Sequence, residues 1–181
     1  MNHLATSKED ILAASRDLIK ENGWAAVSIR AVASRCSVSA GTIYNYYESK
    51  ADLLSDTIES IWHEIFFHPE DEQIFHDVES CISWIYERLE YGNRQFPGFF
   101  SLHSFGFMRD EKTSGKKRMM KTWGHILNGL CEVLGNDPKV RADVFDQEFT
   151  EKKFADILFS LILVSMIRQD YDCLLYTSPS P

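Results

Sequence analysis

Proline is scarce in this chain, 5 of 181 residues, and glycine numbers only 9. That scarcity excludes a collagen-like or Pro/Gly-rich disordered bulk, and the 44% of residues that are hydrophobic are enough for one sizeable core, or a small head on a larger body. Cysteine is equally thin. Cys36, Cys81, Cys131 and Cys173 are far apart and form no C-x-x-C, the pattern of a reduced protein rather than a disulfide framework. Long apolar runs are missing too. The longest, Ile157 to Ile167, is interrupted by Ser160 and Ser165; it is too short to cross a bilayer and fits a buried helix or a subunit contact. Nothing before Lys8 resembles the apolar run of a signal peptide. The expectation is a cytoplasmic protein with no membrane segment.

Positive charge is also in deficit, 19 Lys and Arg against 27 Asp and Glu, for a net charge of -8. A uniformly basic coat is excluded, but the imbalance is local. Residues 1–50 carry six Lys/Arg and five Asp/Glu, while residues 51–181 carry thirteen and twenty-two. The head can approach a polyanion while the body is held away from it. The signatures of catalysis are missing as well: there is no Gly-rich phosphate loop and no G-x-S-x-G. The histidines at 63, 68, 76, 103 and 125 form no compact metal-ligand motif. The expectation is a protein that is not an enzyme and has neither metal nor cofactor.

What the chain has is helical periodicity, and no strand pattern or internal repeat competes with it. Ser7 caps a first helix, with Asp10 three places on as an imperfect capping box, since Glu or Gln is the usual partner. Ile11, Leu12, Ala14, Leu18 and Ile19 make its apolar stripe, and Ser15 lies on the same stripe, where its hydroxyl can bond back one turn. Asn22-Gly23 stops it, and Trp24 and Val27 close over the same small core. Ser28 caps a second helix with Ile29, Val32 and Ala33 inward and Arg30 and Arg35 outward, placed for phosphate. Cys36, Ser37 and Val38 form a tight turn. Ser39 then caps a third helix of about seven residues, with Ile43 and Tyr47 inward and Thr42, Tyr44, Asn45 and Tyr46 mostly outward. This is a helix-turn-helix pattern. Ser39, Ala40 and Thr42 at the start of the last helix can bring its amides near phosphate. Gly41 in the first turn lowers helix propensity, and close approach of a DNA backbone is a reason to keep it. The plainer alternative is a three-helix module with exposed tyrosines.

The stretches ILAASRDLIKENGWAAVSIRAVA and VSAGTIYNYYESKADLL resemble the DNA-binding domain of the TetR family of transcriptional regulators, in residue type and in spacing, over about a quarter of the chain. The resemblance implies that Ser28, Ser39, Gly41, Tyr44, Tyr46 and Lys50 lie at DNA, mostly on its backbone. It places Thr42 and Asn45 at variable positions that help read the base sequence. The departures are mild: Ser15 stands where Ala is frequent, Tyr46 where His is frequent, and Tyr47 where Phe is usual.

The expected organisation is all-α. Residues 1–48 form the helix-turn-helix head, 49–173 a helical regulatory and dimerisation body, and 174–181 a non-native or disordered tail. A helix over 50–67 begins in the head and ends in the body. Further helices are expected over 72–90, 119–134 and 150–168, with a break over 93–97, partial helix over the aromatic-rich 98–107, and Gly135-Asn136 as a stop. Apolar residues on more than one face of 150–168 call for cover on two sides. The family resemblance supplies it: a homodimer through 118–134 and 150–168, reading a palindromic operator in double-stranded DNA. The candidate effector pocket is Trp62, Phe66, Tyr86, Phe99, Phe100, His103, Phe107, Met120, Trp123 and Leu127, whose aromatic content favours an apolar or aromatic small molecule. A ligand-released repressor is the main expectation. The alternatives are an activator of the same architecture and a helical interaction module that has lost DNA binding, which acidic neutralisation of the head by Glu48 or Asp52 would favour.

Overall fold

The computed structural model describes residues 6–66, 75, 77–100, 114–141 and 143–171, with backbone alone at 114–119 and 122. Its α-helices are α1 (Lys8–Asn22), α2 (Ile29–Arg35), α3 (Ala40–Tyr44), α4 (Lys50–Phe66), α5 (Val78–Gln95), α6 (Ser114–Asn136) and α7 (Glu151–Arg168), with a 3-10 turn over Trp24–Ala26. No strand occurs among the described residues, and the fold is all-α with the helix-turn-helix at its N-terminal end. The expectations for residues 101–107 and for the tail from 174 lie outside the described residues. The described residues fall into two compact units. One holds residues 6–66, 92–100 and 114–120, the other 75, 77–91, 121–141 and 143–171.

In the first unit α1, α2 and α3 start with the caps their sequence supplies. Asp10 is long enough for the box at α1: the Ser7 amide donates to Asp10 Oδ2 at 2.9 Å and the Asp10 amide to Ser7 Oγ at 3.1 Å. The Ser15 hydroxyl donates to Ile11 O at 2.8 Å inside the core. Gly23 closes α1 at φ 76, ψ 174, a conformation essentially reserved for glycine. Ser28 Oγ accepts from the Ala31 amide at α2. That helix ends with Ser37 at φ 56, where the Ser37 and Val38 amides donate to Ser34 O and Ala33 O, the paired bonds of a Schellman closure. Helices α1, α2 and α3 surround Ile11, Ile19, Val27, Val32, Ile43 and Tyr47, all fully buried or nearly so.

Helix α4 packs on α1 and belongs wholly to this unit. The sequence division at residue 48 follows the helix-turn-helix, whereas packing carries the unit to the end of α4. Three ion pairs hold the contact: Lys8 to Asp56 at 2.5 Å, and Arg16 and Lys20 to the two oxygens of Glu64 at 3.0 and 2.7 Å. Below them Trp62, Phe66, Phe96, Phe99 and Phe100 pack ring against ring, with Trp24 tilted on Phe99. Gly92 allows this closeness. A Cβ there would stand 2.6 Å from Ile65 Cδ1 and 3.1 Å from the Phe100 ring.

In the second unit α5 starts at Val78, later than the expected 72–90 span, because its first amide is capped from far along the chain. Val78 donates to Asp137 Oδ2 at 2.9 Å, and the Lys139 amide takes Oδ1 at 2.8 Å. The helix then runs into the break expected over 93–97, as far as Gln95, and residues 96 and 97 are non-helical. Gly135 and Asn136 are helical, and the stop falls one residue later at Asp137. Thr150 caps α7, and Gln169 at φ 56 closes it. Cys81, Ile82, Ile85 and Leu89 of α5, Leu130 and Leu134 of α6, and Ala155, Ile162 and Met166 of α7 are buried.

Candidate nucleic-acid interface

Helix α3 is five residues long, two fewer than its sequence led us to expect, because the Asn45 amide already turns back to Thr42 O at 3.2 Å. Ser39 Oγ accepts from the Thr42 amide at 3.1 Å and shares a 3.0 Å hydrogen bond with Thr42 Oγ1. That mutual bond uses one of the two hydroxyl protons, which leaves one O–H to donate outward at the start of the helix. Ser39, Gly41 and Asn45 are exposed, Ala40 and Thr42 half-buried, and Tyr44 is 55% exposed, a high value for a tyrosine. Ile43 and Tyr47 fill the core beneath, as their spacing predicted. Gly41 is helical and uncrowded. The nearest atom to an added Cβ is Ser39 Oγ at 3.5 Å, so no packing within the chain calls for glycine here.

The charges around α3 divide sharply. Of the head's six basic residues, Lys8, Arg16, Lys20 and Arg35 are held in ion pairs. Arg35 is exposed, as its outward position led us to expect, but its guanidinium is a double donor to Glu21 with Asp17 at 3.9 Å, and this pairing drops Glu21 below the usual carboxylate range. Arg30 on α2 and Lys50 at the start of α4 are exposed and make no ion pair among the described residues. Nor do the nearby acids close on them. Asp52 Oδ2 accepts from the Glu48 amide at 3.3 Å, and the Asp52 amide donates to Ser49 Oγ at 3.1 Å, a local cap at the start of α4.

Tyr46 departs from its expected outward position. It is half-buried, and its hydroxyl donates to the Thr6 carbonyl at 2.6 Å. Ser28 is half-buried as the α2 cap. Sequence reasoning passed over Thr6, Asp56 and Glu64, whose partners lie 40 or more residues away and leave no local signal.

The expected effector residues fall in both units. Trp62, Phe66, Phe99 and Phe100 are buried core in the first, where Met120 is exposed. In the second, Tyr86 is buried with its hydroxyl 3.0 Å from Ser165 Oγ, Trp123 packs edge-on against Phe159, and Leu127 is half-buried. His103 and Phe107 lie outside the described residues. A cleft of about 340 Å³ on the head is lined by Thr6, Asp10, Asp17, Arg35 and Cys36, none of them expected ligand residues. Among the described residues no cluster of three or more His, Cys, Asp or Glu could hold a metal, and no helix is long and apolar enough to cross a membrane.

Residues 11–57 match the family model described as bacterial regulatory proteins, tetR family. Over 48 residues the chain is 38% identical to the HTH-type transcriptional regulator UidR of Escherichia coli K12, a match covering 26% of this chain and 24% of that protein. The chain thus spans about a quarter of the length of this curated relative. The fold extends further than the sequence likeness. A transcriptional regulator FadR from Bacillus subtilis, solved with stearoyl-CoA, superposes with a TM-score of 0.63 at 16% identity over 90% of this chain and 86% of that one. A TetR transcription regulator from Haloarcula marismortui gives 0.66 at 20% identity, covering 88% and 83%.

Proposed function

We propose that this chain, a TetR-family transcriptional regulator by its N-terminal domain, is a repressor that binds a palindromic operator as a homodimer and leaves it when a small apolar or aromatic effector binds the body. Members of this family generally bind DNA and respond to small ligands, and they are not enzymes. The observation that carries the DNA reading is the division of charge on the head. Four of its cations are neutralised internally, while Arg30 and Lys50, flanking an exposed α3, are left with their charge available. Phosphate contacts by these two would set the register, and Ser28 and the Ser39–Gly41 start of α3 would bring amides and a hydroxyl to the backbone. Thr42, Tyr44 and Asn45 are then the side chains that reach base edges or the phosphates beside them.

The homodimer is supported by α7. Ile157, Leu161, Val164 and Ile167 form an exposed apolar row along one side of the helix, each 44–49% exposed. A row at this spacing matches the i, i+4, i+7 stripe by which helices pack on one another. The proposed partner surface is the same helix of a second copy, with residues 118–134 beside it. The effector class rests on the aromatic content of the expected pocket residues; of these Trp62, Phe66, Phe99 and Phe100 pack against one another as core in the first unit. The solved FadR that shares the fold holds stearoyl-CoA, an amphiphile with a long apolar chain.

Selection of bound duplexes from a random pool with the full chain tests the reading. The expected result is an inverted repeat whose half-site centres lie one helical turn, about 34 Å, or a multiple of that apart. Enrichment of no duplex overturns the DNA reading, and a single unrepeated half-site overturns the dimer.

A further inference from the structure

Tyr46 leaves the C-terminal end of α3, where the family pattern puts a DNA-facing residue, yet its one hydroxyl proton is committed to the Thr6 carbonyl at 2.6 Å in a half-buried position. Phosphate oxygens only accept, so a phenol whose proton is given elsewhere has nothing to donate to them. Thr6 is itself 7% exposed and sits one residue ahead of the α1 capping box. Its side chain lies beside the Cys36 thiol, at the residue that ends α2. The next tyrosine addresses the same turn of α1: the Lys8 ammonium stands 5.4 Å from the centre of the Tyr47 ring and pairs with Asp56 on α4. The Tyr46-Tyr47 pair therefore joins the start of α1 to the junction of α3 and α4.

This junction matters because α3 is short. Five residues make too few internal hydrogen bonds to hold a helix against fraying, so the direction of α3 is set by what anchors its ends. Ser39 anchors the first end, and Tyr46 is placed to anchor the other. We propose that Tyr46 is a positioning residue for DNA binding. It holds α3 in its reading pose by bonding the Thr6 carbonyl, and it gives no hydrogen bond to phosphate. The proposal rests on the DNA-binding reading above. Because the acceptor is a main-chain oxygen, the identity of residue 6 carries no trace of the latch, and the only side chain that reveals it is Tyr46.

The test compares the full wild-type chain with Tyr46→Phe on the duplex enriched by the wild type. Fluorescence anisotropy is read with each phosphate replaced in turn by an uncharged methylphosphonate, and amide hydrogen exchange is followed in the free protein. Loss of one neutral hydrogen bond predicts about a three- to tenfold weaker Kd for Tyr46→Phe. Each methylphosphonate is expected to weaken both chains by the same factor, and the Asp10 and Ile11 amides to exchange faster in the variant. A single linkage whose neutralisation weakens the wild type but not Tyr46→Phe identifies a direct phosphate contact and overturns the proposal. Unchanged DNA affinity overturns it as well, and so does unchanged exchange at the start of α1. A wild-type chain that enriches no duplex defeats the DNA-binding reading itself, whereas an unfavourable comparison between the two chains defeats only the latch.

Discussion

Gly41 sits in the first turn of α3, where an added Cβ would make only ordinary contact with Ser39 Oγ, and within the chain alanine would serve better there. Gly41→Ala is expected to stabilise the isolated protein by up to about 1 kcal/mol through helix propensity. The same change is expected to weaken operator binding, because the added methyl occupies space kept for the DNA backbone. Chemical denaturation and an anisotropy titration would report the two effects with opposite signs; unchanged affinity removes Gly41 from the interface. Tyr44, more than half exposed above a filled core, makes a separate prediction. Tyr44→Ala should cost about 1–3 kcal/mol of operator affinity without lowering the melting temperature. Arg30 differs again, because a phosphate contact is read through salt. Arg30→Ala is expected to weaken all duplexes alike and to reduce the slope of log K against log salt by roughly one. An unaltered slope would show that its charge is not used at DNA.

The helix ends give predictions of their own. Asp77 stands just before α5, and its carboxyl is lowered to about 2 by the Ser80 amide, the Ser80 hydroxyl and the Lys139 ammonium. A carboxyl depressed in the fold adds stability above its ordinary pKa, and that contribution is lost as pH falls toward the depressed value. The denaturant midpoint of the wild type should therefore exceed that of Asp77→Asn at pH 5, and the gap should close between about pH 4 and pH 2. A gap that widens over this range would mean that the carboxylate is not held in this arrangement. Cys81, one turn into the same helix, behaves in the opposite sense. Burial pushes its thiol up to about 11, which keeps it protonated and unreactive while α5 is folded.

For the whole molecule, the proposed reading joins the exposed row on α7 to the charged head, because a single five-residue helix would contact too few bases to select a site. Leu161 lies in the middle of the row. Leu161→Glu should convert the dimer to monomer in light scattering and remove most of the operator affinity, while the helical circular dichroism stays near that of the wild type. A dimer that survives this substitution must be built elsewhere on the surface. Glu64 is the corresponding group inside the first unit, holding two cations of α1 from the far half of α4.

Much of this protein is written in short-range patterns, and those patterns could be read directly. Ser7, Ser28 and Ser39 cap helices through amides three residues on, and the inward positions of Ile11, Ile19, Ile43 and Tyr47 follow from a 3.6-residue period. The family motif resolved the helix-turn-helix for the same reason, since its signal lies in one continuous stretch. The assignments that moved have distant partners. Tyr46 has an outward register, but its acceptor is 40 residues earlier. Arg35 is exposed, but its charge is paired by a carboxylate 14 residues before it, and α5 starts where Asp137, 59 residues later, caps it. Local order along the chain thus specifies where helices form and which faces are apolar, because caps and periodicity act within a turn or two. Which cations of the head remain outside ion pairs depends on side chains brought together from far apart, and only the packed fold decides that.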